Sequence, residues 1–285
     1  MQYQWYPGHM TKARRMMQEN IKLIDIVVEL VDARIPLSSK NPDIDDLARN
    51  KYRLIILNKE DMADPGVTDL WEQYYKDKGF YVTKVNSRQG GGIKEVKRLI
   101  NEVCREKKER DKKRGILNRP VRAMVAGIPN VGKSTFINSF AGKACAKTGN
   151  KPGVTKGKQW IKINKDVELL DTPGILWPKF EDQEVGLRLA YIGSIKDELL
   201  NTQEIAVKLI DLLKSQYPGC LNRRYGVEES GDDHQILLDI ALVRGCLMKG
   251  NQPDMEKAAA LLLDEFRSVR LDRISLEKPA AGQEE

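Results

Sequence analysis

Asn58-Lys59-Glu60-Asp61 lies upstream of Gly127-Ile-Pro-Asn-Val-Gly-Lys-Ser134, and that order restricts the possible folds more than any other feature of the chain. The second pattern is G-x-x-x-x-G-K-[ST]. Its glycines let backbone N–H groups wrap phosphates, and its lysine reaches the terminal oxygens. The first is N-K-x-D, a guanine-reading pattern. In the ordinary arrangement the phosphate loop comes first, D-x-x-G follows, and N-K-x-D comes last. Here the order is N-K-x-D, Asn86-Ser87, phosphate loop, then Asp171-Thr-Pro-Gly174. The same parts in rotated order predict a circularly permuted P-loop domain of the α/β class, built on a doubly wound sheet.

The sequence around each motif agrees. Val121-Arg-Ala-Met-Val-Ala126 reads as a buried strand entering the phosphate loop, and Thr135-Phe-Ile-Asn-Ser-Phe140 as the helix leaving it. N-K-x-D closes the apolar run Leu54-Ile-Ile-Leu57, at a strand's carboxyl end, where open α/β sheets bind ligands. Asp61 would accept hydrogen bonds from guanine N1–H and the 2-amino group. Adenine offers neither, so a buried Asp61 would be left unpaired against ATP. Asn58 would touch the base edge and tie two loops together, while the Lys59 stem covers the ring. Asn86 and Ser87 end the strand from Phe80 and stand where a second base-contacting loop belongs.

D-x-x-G arises by chance about once in a chain of this length. Its weight therefore comes from following Val167-Glu-Leu-Leu170. Asp171 would hold Mg²⁺ through water, Ser134 would supply a hydroxyl ligand, and Gly174 would offer its N–H to the γ-phosphate. The stretch 144–158 is rich in glycine, lysine and threonine and has the composition of a switch loop. Thr155 within it is the candidate second protein ligand for Mg²⁺, with a surface-turn threonine as the alternative. The predicted nucleotide contacts are Asn58, Lys59, Asp61, Asn86, Ser87, Asn130, Val131, Gly132, Lys133, Ser134, Thr135 and Gly174.

The length of 285 residues suits a nucleotide-binding domain over 1–180 and a smaller unit over 181–285. The latter carries helical apolar spacing at Ile205, Leu209, Leu212 and Leu213, at Ile236, Leu237, Ile240 and Ala241, and at Leu261, Leu262 and Phe266. It is expected to be all-helical and to respond to the second switch, which runs into it through Trp177-Pro178, with an inert helical cap over the permuted end as the alternative. The net charge of +7 is uneven. Residues 1–185 carry 35 Lys/Arg against 24 Asp/Glu, and the remainder 13 against 17. The first part is thus the one suited to phosphate backbones. The densest basic stretch, Lys94 to Arg122, reads as the helix and linker joining the former chain ends, with rRNA contact as a compatible second role. Four cysteines without metal-ligand spacing, no long apolar run and no signal-peptide core lead to a cytoplasmic expectation, with no membrane or DNA partner.

These motifs resemble the RbgA/YlqF family of permuted bacterial GTPases that assemble the large ribosomal subunit. The resemblance extends to Trp5-Tyr-Pro-Gly-His9-Met10, Asp32-Ala-Arg-Ile-Pro36, Asp171-Thr-Pro-Gly-Ile-Leu-Trp-Pro178 and Arg244-Gly-Cys-Leu247. One departure is Asp272, where a glycine is expected. The resemblance implies a Mg²⁺-dependent GTPase whose partners are GTP/GDP, the large (50S) subunit precursor and its rRNA, with the particle stimulating hydrolysis that times release. It also implies a catalytic role for His9, which the sequence places in a Pro-Gly turn, and a K⁺ ion at Asn130. The glutamine that often follows D-x-x-G to orient water is replaced by Ile175, which has no hydrogen-bonding group. A nucleotide-gated RNA-binding module with incidental hydrolysis is the alternative. A small-molecule P-loop kinase is disfavoured, because N-K-x-D would have no purpose there.

Overall fold

The structure is a computed structural model that describes residues 8–116, 119–146, 159–177, 180 and 182–279. Its first part is a six-stranded sheet of β1 (Ile26–Asp32), β2 (Tyr52–Asn58), β3 (Tyr81–Val85), β4 (Val121–Gly127), β5 (Gln159–Lys162) and β6 (Val167–Asp171). The strand order is β3-β2-β1-β4-β6-β5. All neighbours are parallel except β5, which pairs antiparallel with β6 at one edge. β1 is buried along its whole length and β2 over its last five residues, as near-continuous apolar runs require when helices cover both sheet faces.

The rotated motif order has its counterpart in this topology. Counted from β4 as first strand, the sheet reads second, third, first, fourth, fifth, sixth. The chain therefore leaves the phosphate-loop strand toward β6, while the strands that precede it lie on the other side of β4. That divergence is a topological switch point, where a crevice opens beyond the carboxyl ends of the strands. Asn58, Asn86, Gly127 and Asp171 all stand at or just past those ends.

The helices of this part are α1 (Gly8–Asn20), α2 (Pro42–Leu47), α3 (Pro65–Asp77), α4 (Ile93–Val103), α5 (Arg105–Lys113) and α6 (Lys133–Ala141). α3 starts with Asp64 as N-cap, its side chain accepting from Val67 N, and Pro65 at the first turn, where a missing N–H costs nothing. α4 buries Ile93, Val96, Leu99, Ile100 and Val103, the helical spacing read from the sequence. α5 continues from it and carries the linker's charge, with one lysine turned inward. Lys107 is buried and bonds Asp111 at 2.7 Å and Asp25 at 3.3 Å. It is thus a tether between linker and sheet.

The remainder is helical, comprising α7 (Gln183–Tyr191), α8 (Thr202–Gln216), α9 (Cys220–Tyr225), α10 (Asp233–Val243) and α11 (Met255–Arg267). Ile205, Leu209 and Leu213 of α8 meet Ile236, Leu237 and Ile240 of α10 and Leu262 and Phe266 of α11 in a core continuous with that of the sheet. Inside it, Glu265 accepts from Arg224 Nε and Nη2 and from the Tyr225 hydroxyl, each at 2.8 Å. The Arg224 bonds first, outweighing burial, hold the Glu265 carboxyl well below the usual range, at about 2. Asp272, where a glycine was expected, does not have positive φ; the left-handed residue nearby is Val269, at φ 62°.

Candidate nucleotide-binding site

Beyond the carboxyl ends of β2, β3 and β4 lies a cavity of about 1260 Å³. Its lining brings together Asn58, Lys59, Asp61, Asn86, Ser87, Asn130, Gly132, Lys133, Ser134, Thr135 and Gly174, all predicted from sequence. Val131 does not line it; that residue is fully buried, its side chain packed in the main core and only its carbonyl joined to the base-contacting loops, through Asn58. Thr155 lies outside the described residues. His9 was expected in a turn. The structure corrects this, since α1 starts at Gly8 and makes His9 its second residue; the His9 side chain lies outside what is described.

Asn58 is the hub of the end of the cavity that carries the N-K-x-D pattern. Its Nδ2 donates to Val131 O at 2.7 Å, and its Oδ1 accepts from Ser87 Oγ at 2.6 Å, so one buried amide joins three loops. Gly132 has φ 99°, and a Cβ there would stand 2.5 Å from Asn58 Nδ2. Only glycine permits that approach. After Asn58 the chain turns through Lys59 in the left-handed region into a short 3₁₀ turn, Glu60–Met62, which carries Asp61.

Lys59 Nζ reaches back 2.9 Å to Asp32 at the end of β1. Asp32 also accepts from Arg34 Nε and Nη2, each at 2.8 Å, and is fully buried. Burial pushes the Asp32 carboxyl up, but Arg34 and then Lys59 outweigh it and hold the group far below the usual range. Burial lowers Lys59, with Asp32 opposing and Arg34 adding to the shift. The stem of this lysine is thus set from below by a carboxylate that the motif does not contain. The strand-end acid of Asp32-Ala-Arg34 was the available sequence signal, but nothing in it specified Lys59 as a partner.

At the end of the cavity that carries G-x-x-x-x-G-K-[ST], Lys133 Nζ is buried and donates to Gly127 O at 3.1 Å and Ile128 O at 2.8 Å. Burial, partly offset by Asp171, lowers its pKa to about 8. Asp171 is also buried, and its Oδ1 has no hydrogen-bond partner among the described residues. Burial raises its pKa, with Lys133 opposing. A Cβ at Gly174 would fall 2.7 Å from Pro129 backbone and 2.8 Å from Lys133 Nζ, so the D-x-x-G turn sits directly on the phosphate loop. Ile175 is fully buried, its carbonyl accepting from Asn41 Nδ2 at 3.0 Å.

Motif reading missed the opposite wall, which belongs to the helical part. Gly193, Ile195, Lys196, Asp264, Arg267 and Arg270 line the same cavity. Asn130 Nδ2 donates to Gly193 O at 2.6 Å, and Ser194 Oγ to Pro129 O at 2.8 Å. The phosphate loop is therefore bonded to the turn after α7.

This constellation has close counterparts. A family model described as 50S ribosome-binding GTPase matches residues 122–235. Ribosome biogenesis GTPase A of Bacillus cereus is 50% identical over 280 residues, 98% of this chain and 95% of the relative. The chain belongs to the ribosome biogenesis GTPase A family. It is accordingly a GTPase of ribosome biogenesis with a guanine-nucleotide domain. The Thermotoga maritima member is 33% identical over 96% of this chain and 94% of its own. The crystal structure of GNP-bound YlqF from that organism superposes with a TM-score of 0.69 at 29% identity, covering 94% of this chain and 99% of the other. No described helix is long and apolar enough to cross a membrane.

Proposed function

We propose that the chain is a Mg²⁺-dependent GTPase that binds and matures the large (50S) subunit precursor, the particle stimulating hydrolysis and hydrolysis timing release. Residues 1–180 would form the GTPase domain and 181–285 a helical unit that binds ribosome and RNA. The supporting observation is the shared cavity. Base-reading loop, phosphate loop and helical wall face one space, and Asn130 and Ser194 bond the phosphate loop to the helical turn. A γ-phosphate that repositions the loop would thereby act on the helical unit.

Within this reading Asn58, Lys59, Asp61, Asn86 and Ser87 take the guanine, and Asn130 to Thr135 with Gly174 take the phosphates. The described residues hold no cluster of three acidic, cysteine or histidine side chains suited to a metal. Mg²⁺ does not need one here, because phosphate oxygens and water complete its shell. The donor set fits: the Oδ1 of Asp171, unpartnered among the described residues, is a buried acceptor for a water on the ion, Ser134 would supply a hydroxyl, and Thr155 is the further candidate. Bound Mg²⁺ would neutralise charge between the β- and γ-phosphates. K⁺ at Asn130 and a role for His9 on the attacking water belong to the same proposal, since buried Ile175 leaves that water to another group.

Depletion of the protein tests the ribosomal assignment. An immature large-subunit particle should accumulate while small subunits mature normally; accumulation of small-subunit precursors would contradict it. The burial of Ile175 favours one competing reading, an RNA-binding module in which hydrolysis is incidental. A variant that binds GTP without hydrolysing it, and still supports repeated rounds of maturation, would decide for that module.

A further inference from the structure

After α11 the chain crosses back to the base-reading end of the cavity. The exit is a Schellman turn, with Val269 N donating to Phe266 O at 3.2 Å and Arg270 N to Glu265 O at 2.9 Å. The position that commonly takes glycine is Val269, a β-branched residue held at φ 62°. Such strain persists only where neighbouring contacts fix the path.

Those contacts follow at once. Ile274 and Leu276 are buried in the main core, Leu276 N donates to Arg34 O at 2.8 Å, and Trp71 Nε1 donates to Glu277 O at 3.0 Å. Ser38 Oγ donates to Glu277 Oε2 at 2.6 Å, and Asp64 N to Ser275 Oγ at 3.1 Å. Residues 271–277 thus form a strap across the loops that follow β1 and β2. Within it, Arg273 Nη2 donates to Glu60 O at 2.6 Å and Nε to Ala63 O at 2.9 Å. Those carbonyls bracket Asp61. The turn between them needs outside support, since it begins at left-handed Lys59 and its closing bond, Ala63 N to Glu60 O, is long at 3.4 Å. Arg273 makes no ion pair among the described residues, and its planar fork can span two carbonyls of one turn.

We propose that the strap, through Arg273, is a positioning element for guanine: it holds the Lys59–Ala63 turn so that Asp61 keeps its place in the cavity, and loosening it lets nucleotide leave faster. The inference rests on the assignment of Asp61 to the base. It gives the helical unit a second route to the nucleotide. A load on α11 reaches the phosphate end through Gly193 and Asn130, and the base end through Arg273.

The test is release of a fluorescent GDP analogue from the full chain and from Arg273→Ala, Arg273→Lys and Asp61→Asn variants, with GTP turnover and melting temperature measured alongside. Arg273→Ala removes two charge-assisted bonds, partly replaced by water, so release should quicken by about tenfold and KM for GTP should rise in step. Turnover at saturating GTP should be unchanged, because Lys133 and the phosphate loop are untouched. Arg273→Lys should recover part of the loss, since an ammonium can still donate to one carbonyl. Wild-type release from a folded Arg273→Ala protein, with Asp61→Asn weakening binding, overturns the strap and spares the base assignment. Release unaffected by Asp61→Asn overturns the base assignment and the strap with it. A fall in turnover with KM unchanged, or no rescue by lysine, assigns Arg273 to general stability and overturns the proposal.

Discussion

Asp32→Asn probes the buried charges beneath the N-K-x-D loop. Asparagine keeps the shape of Asp32 but puts an N–H where Arg34 and Lys59 need an acceptor. Three charge-assisted bonds of 2.8–2.9 Å are compromised, and the Arg34 guanidinium, 2% exposed with Nη1 already unpartnered among the described residues, becomes a buried cation without its counterion. Breaking such a pair from one side costs roughly 3–5 kcal/mol. Against a domain stability of about 5–15 kcal/mol, this is a loss large enough to measure directly. Urea denaturation at pH 7 measures the loss. Arg34→Met alone should be costly too, since it leaves the buried carboxylate with Lys59 as its remaining cation and removes the guanidinium from over the Phe266 ring at 5.6 Å. The double variant should cost less than the sum by about 2 kcal/mol or more. The acid side adds a check. Asp32 titrates below its unfolded value of about 3.9, so its contribution is full above that pH and drains away as pH falls through the folded value. The wild type should lose stability more steeply than Asp32→Asn as acid is added below about pH 4. A single-variant cost under about 1 kcal/mol, or strict additivity in the double variant, would refute the reasoning.

Three further outcomes follow from the same geometry. Asp61→Asn should weaken GTP and favour xanthosine triphosphate, whose 2-oxo group replaces the amino donor; competition binding checks it, and unchanged preference would sink the base assignment. Neutralising exposed Lys112, Lys113 and Arg114 should lower affinity for the large subunit and flatten its salt dependence. Lys107→Gln, which cuts the tether to Asp25 and Asp111, should instead lower the melting temperature, so equal effects on particle binding would contradict this division. Val269→Gly should stabilise the chain by about 0.5–1 kcal/mol, the left-handed strain relieved less the extra freedom of unfolded glycine. It should leave GDP release unchanged, because the strap's bonds stay; a melting curve and the release assay check both halves.

How much of this was legible in the sequence follows from the range of each interaction. The motif order required a rotated sheet because the phosphate-loop strand must lie at the switch point, and β4 does, between β1 and β6. The α4 face could be read because helical spacing is local. The links from Arg273 to Glu60 and from Lys59 to Asp32 could not, since each joins segments far apart in sequence by single side chains without periodicity. Lys107 was hidden in a run of like charges, where composition cannot say which lysine faces inward. Pro7-Gly8 reads as a turn in the sequence, although the pair is compatible with a helix start, and α1 begins at Gly8.

Single-turnover hydrolysis, measured on the free protein and with purified large subunits, tests the central claim most directly. Buried Ile175 leaves the attacking water without a side chain from its own turn, so the free protein should hydrolyse GTP slowly and large subunits should accelerate it, small subunits having no effect. His9→Ala should keep GTP and particle binding while losing on the order of 10²-fold of the accelerated rate. Turnover indifferent to large subunits would contradict the account, and a fully stimulated His9→Ala variant would remove His9 from it.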